Sequence, residues 1–322
     1  MDTLSIIAKR NDVLKHNPPP AAIHITTRGS DWLWTVFAVD YFCLVIMLGL
    51  LWWTPRTDRI FHYITVLIII VTGFCYYTMA SDLGSLAVAP EFMRSESDVA
   101  GSTRQVFWIR YVDWLITMPL IIFNLLLTAG VYWHTILYTI MLQIVFVILF
   151  FIGTLVPDSY RWGYFTIGTV ALLLALENIV YEGIKHANYM GGNIRKLYMF
   201  LAPSLCTLWI LYPICWACSE GGNVIAPDSE QIFYGILDLL TKPCLGFVVL
   251  LGHRKIDISE LDLRLYDRGD KERLPDARER AYREKEEERA VDGPLADGPV
   301  STPAAAAAEA TPPTNGGPAE QV

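Results

Sequence analysis

The sequence predicts an all-α membrane protein, a bundle of seven transmembrane helices with its N-terminus outside and its C-terminus in the cytoplasm. Of its 322 residues, 53% are hydrophobic and only 18% are charged, and the apolar residues gather in long runs. This composition is typical of membrane proteins. A helix needs about 20 apolar residues to cross a hydrocarbon core, and the chain has runs of this length. Basic residues cluster after particular runs, which indicates the orientation.

The predicted spans cover residues 31–54, 60–82, 106–128, 132–155, 162–183, 197–218 and 230–252. The first, second and fourth are predicted from apolar length alone. The third carries RYVDWLITMPLIIFN, the fifth contains Glu177, the sixth carries WILYPICW and the seventh LDLLTK. These four spans are long and apolar enough to cross the membrane, and they also contain polar residues. Pro213 should kink the sixth helix, and Pro243 should loosen the seventh.

The orientation follows from the basic residues that flank the spans. An odd number of spans places the termini on opposite sides, and basic residues favour the cytoplasmic side. The segments that follow the first, fifth and seventh spans contain Arg56, Arg59, Lys185, Arg195, Lys196, Arg254 and Lys255. These segments are therefore predicted to face the cytoplasm. The bias is modest, because the N-terminal tail also carries basic residues.

We divide the chain into an extracellular polar tail (1–30), a seven-helix domain (31–255) and a cytoplasmic tail (256–322). The cytoplasmic tail is first rich in mixed charge and then in Pro and Ala, which predicts disorder. The polar N-terminus gives no sign of a cleaved signal peptide. All six cysteines fall inside predicted spans, so neither a disulfide framework nor a metal site is indicated. Nothing predicts an enzyme or a nucleic-acid-binding protein.

Charged residues inside two spans indicate a functional site. Asp238 and Lys242 lie one helical turn apart in the seventh span, and Arg110 and Asp113 lie on one face of the third. Ionisable groups at this depth are costly and usually functional, although a structural salt-bridge network would also require paired charges. A lysine amine in an apolar pocket can form a Schiff base with an aldehyde. We expect the two carboxylates and the arginine to meet Lys242 in the middle of the bundle.

Aromatic residues sharpen this hypothesis. Trp209, Tyr212 and Trp216 share one face of the sixth span, and Trp114 follows Asp113 in the third. Flat rings on two helices could enclose a long planar polyene. An aromatic stripe by itself is more often ordinary helix packing. The aromatic residues therefore support the hypothesis only together with the buried charges.

The segments RYVDWLITMPL, WILYPICW, SEG and LDLLTK together resemble the signatures of microbial (type I) rhodopsins, especially their fungal opsin branch. The resemblance covers residues 31–255 and leaves out both tails. It implies that Lys242 binds all-trans retinal as a protonated Schiff base. It also implies that Asp113 is the primary counterion and proton acceptor, that Asp238 is the second counterion, and that Arg110 couples both to the outer exit.

The resemblance assigns roles to further residues. Glu220 and Glu230 match the paired acids of the family's proton-release group, and Thr65 matches the threonine that pairs with its cytoplasmic proton donor. Ile121 falls in the expected pocket for the retinal ring. The other retinal-pocket or counterion-network positions are Tyr76, Trp114, Thr117, Trp209, Tyr212 and Trp216. The expected partners are retinal, protons and the lipid bilayer of the plasma membrane or an internal membrane.

Asn124 departs from the family pattern, because efficient proton pumps of this family carry Asp or Glu at the matching position. An amide cannot give up a proton at any accessible pH. Proton release to Asp113 needs only the acceptor, but the proton must then return from bulk water through a mostly apolar half-channel. The cycle should therefore be slow. Glu177 is a weak candidate substitute, better explained as snorkelling or hydrogen-bonded between helices, and Asp40 fits no family motif.

Two functions follow from the resemblance. The first is an outward light-driven proton transporter with a slow photocycle, favoured because the outer half of the proton path is complete. The second is a photosensory rhodopsin that signals through its cytoplasmic side with little net transport, favoured by Asn124 and the long tail. Members of the family often form trimers, so a homo-oligomer is compatible with this sequence, as is a cytoplasmic partner for the tail.

Other seven-helix classes are disfavoured. Lys242 argues against the retinal-free relatives of fungal opsins, which lack the linking lysine. Asp113 argues against anion pumps, which replace this acid, and against sodium pumps, where Asn is expected at this position. The second span has no row of acids that would indicate a channel. The third-span counterion pattern and the short loops argue against a G-protein-coupled receptor.

Overall fold

A computed structural model describes residues 11–254 and Ile256. It confirms the all-α fold class, since seven of its helices are long and apolar enough to cross a membrane. We number them α1 (Thr27–Trp53), α2 (Ile60–Ala80), α3 (Trp108–Thr128), α4 (Trp133–Leu155), α5 (Arg161–Met190), α6 (Gly192–Trp216) and α7 (Pro227–Leu239). The sixth membrane-spanning helix continues past α6 to Gly221, and the seventh continues past α7 to His253. The predicted tail beyond residue 256 and residues 1–10 lie outside the described residues.

Helix α1 begins at Thr27, four positions before the predicted start at residue 31. The side chain of Thr26 accepts a hydrogen bond from the backbone N–H of Arg28 at 3.2 Å, which caps the first turn. A short helical turn, Val13–His16, precedes α1. Helix α5 continues to Met190, beyond the predicted end at residue 183.

A π-helical segment follows α6, and another follows α7. Each segment contains a candidate site residue. Ala217–Gly221 extends α6 and includes Glu220. Leu240–Cys244 follows α7, includes Lys242 and Pro243, and leads into a final helical segment, Leu245–His253. Proline has no backbone N–H to complete the regular ladder, and π-segments are frequent at functional sites. The loosening expected from Pro243 therefore takes the form of a π-turn around the lysine.

A small antiparallel sheet connects α2 and α3. Strand β1 (Ser85–Val88) pairs with β2 (Arg104–Phe107), with Ser85 opposite Phe107. Ile23 forms a parallel bridge to Arg104, so the N-terminal segment lies against this hairpin. The sequence analysis did not predict these strands, and it extended the third span to residue 106, which belongs to β2. We call this side of the bundle the hairpin end, and the other side the opposite end.

The helices pack in sequence order, and α7 closes the ring against α1. The inside of the bundle carries buried polar groups as well as apolar ones, including Asp113, Asp238 and Lys242. The outside is apolar: Phe42 and Val45 are both 68% exposed, and Trp52 is 82% exposed near the end of α1. Apolar residues on the outer surface and tryptophan near a helix end suit a lipid environment. The polar interior is where a functional site can lie.

Candidate functional site

Lys242 lies in the bundle interior between two carboxylates. Its Nζ contacts Asp113 Oδ2 and lies 3.2 Å from Asp238 Oδ1. Lys242 is 2% exposed, Asp238 is 1% exposed and Asp113 is fully buried. A buried cation requires such partners to offset its desolvation. The structure thus brings together the three charged groups that the sequence placed on α3 and α7.

Hydroxyl groups hold the two carboxylates in place. Thr72 donates a hydrogen bond to Asp113 Oδ1 at 3.1 Å. Tyr76 donates to Asp238 Oδ2 and Tyr212 donates to Asp238 Oδ1, both at 2.7 Å. Hydrogen bonds to a charged acceptor are stronger than those between neutral groups. These donors stabilise both carboxylates in their charged forms, which suits a pair of counterions.

The predicted residue Thr117 has a different role from that of Thr72. Its hydroxyl donates to the backbone carbonyl of Asp113 at 2.8 Å, one turn back along α3. Sequence analysis did not single out Thr72, because a threonine in an apolar span has no distinctive spacing. Its contact with Asp113 joins residues 41 positions apart and depends on how α2 packs against α3.

Arg110 does not join the lysine cluster through the hydrogen bonds that the structure describes. Its guanidinium donates to Glu230 Oε1 at 2.7 Å and to Gln231 Oε1, and it lies 4.3 Å above the ring centre of Tyr234. Arg110 was expected to meet Lys242, but it forms an ion pair with Glu230 instead, on the side of the lysine cluster toward the hairpin end. This ion pair is almost completely buried, with both side chains 1% exposed.

A second arginine shares Glu230. Arg104 in β2 donates to Glu230 Oε2 at 2.7 Å and to Asn223 Oδ1 at 2.8 Å. Sequence analysis did not single out Arg104, because no signal marked the short β-strand that carries it. Two arginines around one carboxylate form a net positive group. This group lies between the hairpin and the lysine cluster.

Glu220 belongs to a separate hydrogen-bond network. Tyr111 donates to Glu220 Oε2 at 2.5 Å, and Thr154 lies 3.5 Å from the same oxygen. The indole N–H of Trp216 donates to Thr154 at 2.8 Å. The resemblance pairs Glu220 with Glu230, but the hydrogen bonds of the described residues place them in different networks. The two carboxyl groups remain close enough to interact electrostatically.

Aromatic side chains surround the buried lysine region. Trp114 packs edge-on against Tyr212, with ring centres 5.2 Å apart, and Trp209 is 1% exposed. The indole nitrogens of Trp114 and Trp209 are buried without a hydrogen-bond partner. Trp216 instead stacks on Phe165 at 5.3 Å. A buried primary amine beside flat aromatic residues fits a planar apolar molecule that carries an aldehyde.

A cavity extends from Lys242 toward the opposite end of the bundle. Its wall includes Ile121, Asn124 and Thr65, which the sequence analysis had selected. Asn124 Nδ2 donates to Thr65 Oγ1 at 3.1 Å, while Asn124 Oδ1 is buried without a partner. The lining is otherwise mostly leucine, isoleucine and valine. Among the described residues of this wall, Lys242 is the only ionisable one.

The two acids left unassigned by sequence analysis occupy different environments. Asp40 in α1 is 1% exposed, and neither of its carboxyl oxygens has a hydrogen-bond partner. It lies within electrostatic range of Lys242, Asp113 and Asp238. Glu177 is exposed on the outer surface of α5, in a groove with Tyr181 and Lys185. Only Asp40 therefore belongs to the interior of the bundle.

Comparison with known proteins identifies related chains over the whole helical region. A family described as bacteriorhodopsin-like protein matches residues 28–256. The opsin-like protein carO of Fusarium fujikuroi is 45% identical over 267 residues, which cover 81% of this chain and 87% of that protein. The similarity thus extends over nearly the full length of that relative.

Solved structures show the same fold. The light-driven proton pump LR (Mac) from Leptosphaeria maculans matches with a TM-score of 0.69 and 28% identity, covering 73% of this chain and all of that one (100%). The light-driven proton pump CsR from Coccomyxa subellipsoidea matches with a TM-score of 0.68 and 29% identity, covering 72% and 99%.

Proposed function

Because this chain is a fungal type I rhodopsin of the bacteriorhodopsin-like family and a multi-pass membrane protein, we propose that it is an outward light-driven proton transporter with a slow photocycle. The observation that carries the proposal is the ion pair of Lys242 with Asp113 and Asp238 inside the bundle. Light-driven proton pumps are among its structural neighbours. The transporter performs no enzymatic reaction.

The residues around Lys242 fit retinal as the cofactor. Lys242 would hold all-trans retinal as a protonated Schiff base, and the bound retinal would supply the absorption of visible light and a light-driven change of shape. Trp114, Trp209 and Tyr212 are buried aromatic residues suited to hold the polyene, and Ile121 suits its ring. Asp113 and Asp238 keep the lysine nitrogen positively charged in the dark.

Asp113 accepts the proton from the Lys242 nitrogen, since its carboxylate is in direct contact with that nitrogen. Once Asp113 is neutral, Asp238 still carries its charge, held by Tyr76 and Tyr212. The positive group formed by Arg104, Arg110 and Glu230 lies on the side of the hairpin end. We assign proton release to this end, with Glu220 and Glu230 as the acids, and we place this end outside the cell.

Return of a proton to the lysine nitrogen is the slow step. Asn124 and Thr65 hydrogen-bond to one another on the wall of the cavity between Lys242 and the opposite end. A neutral amide has no proton to give, so this position cannot replace the carboxyl donor of an efficient pump. A proton from the solvent must therefore travel from the opposite end of the bundle to the Lys242 nitrogen without a carboxyl donor at position 124.

The second candidate is a photosensory rhodopsin with little net transport. Asn124 favours it, because slow reprotonation would prolong the signalling state. The charged segment that begins near residue 256 offers a cytoplasmic surface for a partner. The two candidates share the cofactor and the lysine cluster, and differ only in whether a proton completes the crossing.

A photocurrent measurement distinguishes the two functions. The protein would be reconstituted with retinal in a membrane whose potential is clamped. A steady outward current under continuous light at zero membrane potential and no pH gradient is expected for the transporter. A transient charge displacement that decays to zero under the same light would contradict transport and favour the sensor.

Replacing Asn124 with aspartate should accelerate reprotonation of the Lys242 nitrogen by about a hundredfold, the lower end of the range for general acid catalysis. The new carboxyl group would hold a proton beside Thr65 and deliver it without waiting for the solvent. In the unmodified protein the rate of reprotonation should fall by about tenfold for each pH unit in alkaline solution, because the solvent proton concentration falls.

Flash photolysis over a range of pH measures both effects. Asn178→Asp is a matched control, because Asn178 is only half-buried on α5 and donates to the carbonyl of Leu174 in its own helix. If the rate of the unmodified protein were independent of pH even in alkaline solution, the solvent route would be wrong.

A further inference from the structure

A second cavity opens at the opposite end of the bundle, where α1 ends, α2 begins and the final helical segment, Leu245–His253, ends. Its wall contains His62, His253, Asp58 and Arg254. His253 is 6% exposed, and its ring stacks on Phe61 with ring centres 3.7 Å apart. Neither histidine has a role in the function proposed above. Imidazole can gain and lose a proton at a ring nitrogen, so a histidine on a cavity wall is a candidate proton carrier.

Hydrogen bonds connect His253 to the cavity beside Lys242. His253 Nε2 lies 3.3 Å from Thr128 Oγ1, and Thr128 Oγ1 donates to the backbone carbonyl of Asn124 at 2.9 Å. Asn124 lines the cavity that Lys242 also lines. His253 and Thr128 therefore lie between the outer cavity and the inner one. Thr128 itself is fully buried.

The contacts of His253 are satisfied in either protonation state. Its Nδ1 lies 2.8 Å from the backbone carbonyl of Val249, which can only accept a hydrogen bond, so Nδ1 carries a proton. In the neutral ring, the Thr128 hydroxyl turns its single proton from the Asn124 carbonyl to Nε2, while that carbonyl keeps the helical hydrogen bond from the Thr128 backbone N–H. In the charged ring, Nε2 donates to Thr128 while Thr128 donates to the Asn124 carbonyl. A proton can therefore be gained and lost at Nε2 without leaving a polar atom unpaired.

The charged and titratable groups near His253 come from three segments. His62 on α2 interacts with it electrostatically, and Arg59 and Arg254 act in turn on His62. Asp58 lies across the outer cavity. The two arginines disfavour a second positive charge at this end and Asp58 favours one. Of these groups, His253 is the one that hydrogen-bonds to Thr128 and so leads toward the inner cavity.

We propose that His253 is the proton-uptake group of this protein, taking the place of the carboxyl donor that Asn124 cannot provide. This inference rests on the proposed function. A solvent proton binds at Nε2 and makes the ring an imidazolium. The Nε2–H bond then breaks as the proton passes to Thr128 Oγ1, and the hydroxyl proton of Thr128 passes to a water molecule in the inner cavity that Asn124 lines. The Lys242 nitrogen is its final acceptor, and His253 returns to the neutral form.

Nuclear magnetic resonance tests the proton-binding site without retinal. The retinal-free protein, labelled with ¹⁵N histidine in lipid nanodiscs, would be titrated from about pH 4 to about pH 9, which spans the usual range of imidazole. The His253 signals are identified by their loss in His253→Gln. We expect Nε2 to titrate while Nδ1 keeps its proton. An Nε2 signal that stays constant over this range would overturn the proposal.

Flash photolysis of the retinal-bound protein tests the transfer. The unmodified protein should show a rate of Lys242 reprotonation that is constant in acid and declines only above the pH at which His253 loses its proton. His253→Gln and Thr128→Val should remove this plateau, leaving a decline of about tenfold per pH unit throughout. His186→Gln is the matched control, since His186 packs against Tyr132 at the surface of the same end.

The outcomes separate the two proposals. A plateau that persists in His253→Gln overturns the role of His253, while the pigment and the photocurrent stay intact. A protein that remains colourless with retinal overturns the proposed function, whatever the titration of His253. Restoration of fast reprotonation in His253→Ala by added imidazole would support the relay, because a purely structural role for the ring would not be rescued by a free base.

Discussion

Lys242→Ala is expected to abolish the visible absorption band that forms when the protein is mixed with retinal. In the proposed function the lysine amine is the covalent attachment point, and in the structure its nitrogen contacts Asp113 and lies 3.2 Å from Asp238. Removing it leaves two buried carboxylates without their cation. Absorption spectroscopy of purified protein after addition of retinal measures the effect, which should be complete loss of the band.

Lys185→Ala is the matched control, because Lys185 lies at the surface, with its side chain 67% exposed. This variant should keep the full band. Size-exclusion chromatography distinguishes loss of attachment from loss of fold, since the unpaired carboxylates also destabilise the Lys242→Ala variant. Adding Asp113→Asn to Lys242→Ala removes one of these charges. If a folded Lys242→Ala protein still formed the same visible band, the assignment of the cofactor site would be wrong.

Asp113→Asn is expected to stop proton transfer from the Lys242 nitrogen and to reduce the photocurrent by about a hundredfold or more, as for the loss of a positioned proton acceptor. Asparagine keeps the size of the side chain and its contact with Thr72, but the amide cannot accept the proton. The absorption maximum should move to longer wavelength, because the positive nitrogen loses its nearest negative charge. Flash photolysis and photocurrent recordings measure the two effects.

Asp40→Asn provides the comparison for this variant. Asp40 is also a buried carboxyl in the bundle, yet it has no hydrogen bond to Lys242. Its replacement should change the photocurrent far less than Asp113→Asn does. Equal losses of photocurrent in both variants would show that any negative charge near the lysine supports proton transfer. The direct contact of Asp113 with Lys242 would then not explain its role.

Much of the lysine site was accessible from sequence because the signals are local. Asp238 and Lys242 are one turn apart on a single helix, and Asp113 lies in an apolar span where a charge stands out. The hydroxyl groups that hold these carboxylates were harder to predict. Tyr76 came from the family resemblance, whereas Thr72 had no motif to mark it and is identified only by its 3.1 Å hydrogen bond to Asp113.

The arginine network shows a different limit. Arg110 was expected near the lysine, because it shares a helical face with Asp113. In the structure it pairs with Glu230, 120 positions away, and Arg104 approaches the same carboxylate from a β-strand that the sequence did not predict. Which carboxylate an arginine selects depends on distances across the bundle, and helical spacing contains no information about them.

The sequence by itself determined the seven apolar spans, the buried lysine with its two acids, and the missing carboxyl at Asn124. Apolar length and intramembrane charge act through the solvent preference of each residue, which is a property of local sequence. Only the tertiary structure decided the partners of Arg110 and Arg104, the separate network of Glu220 and the path through Thr128 to His253. Those contacts join side chains from different helices and strands, so they arise only when packing brings distant segments within hydrogen-bond distance.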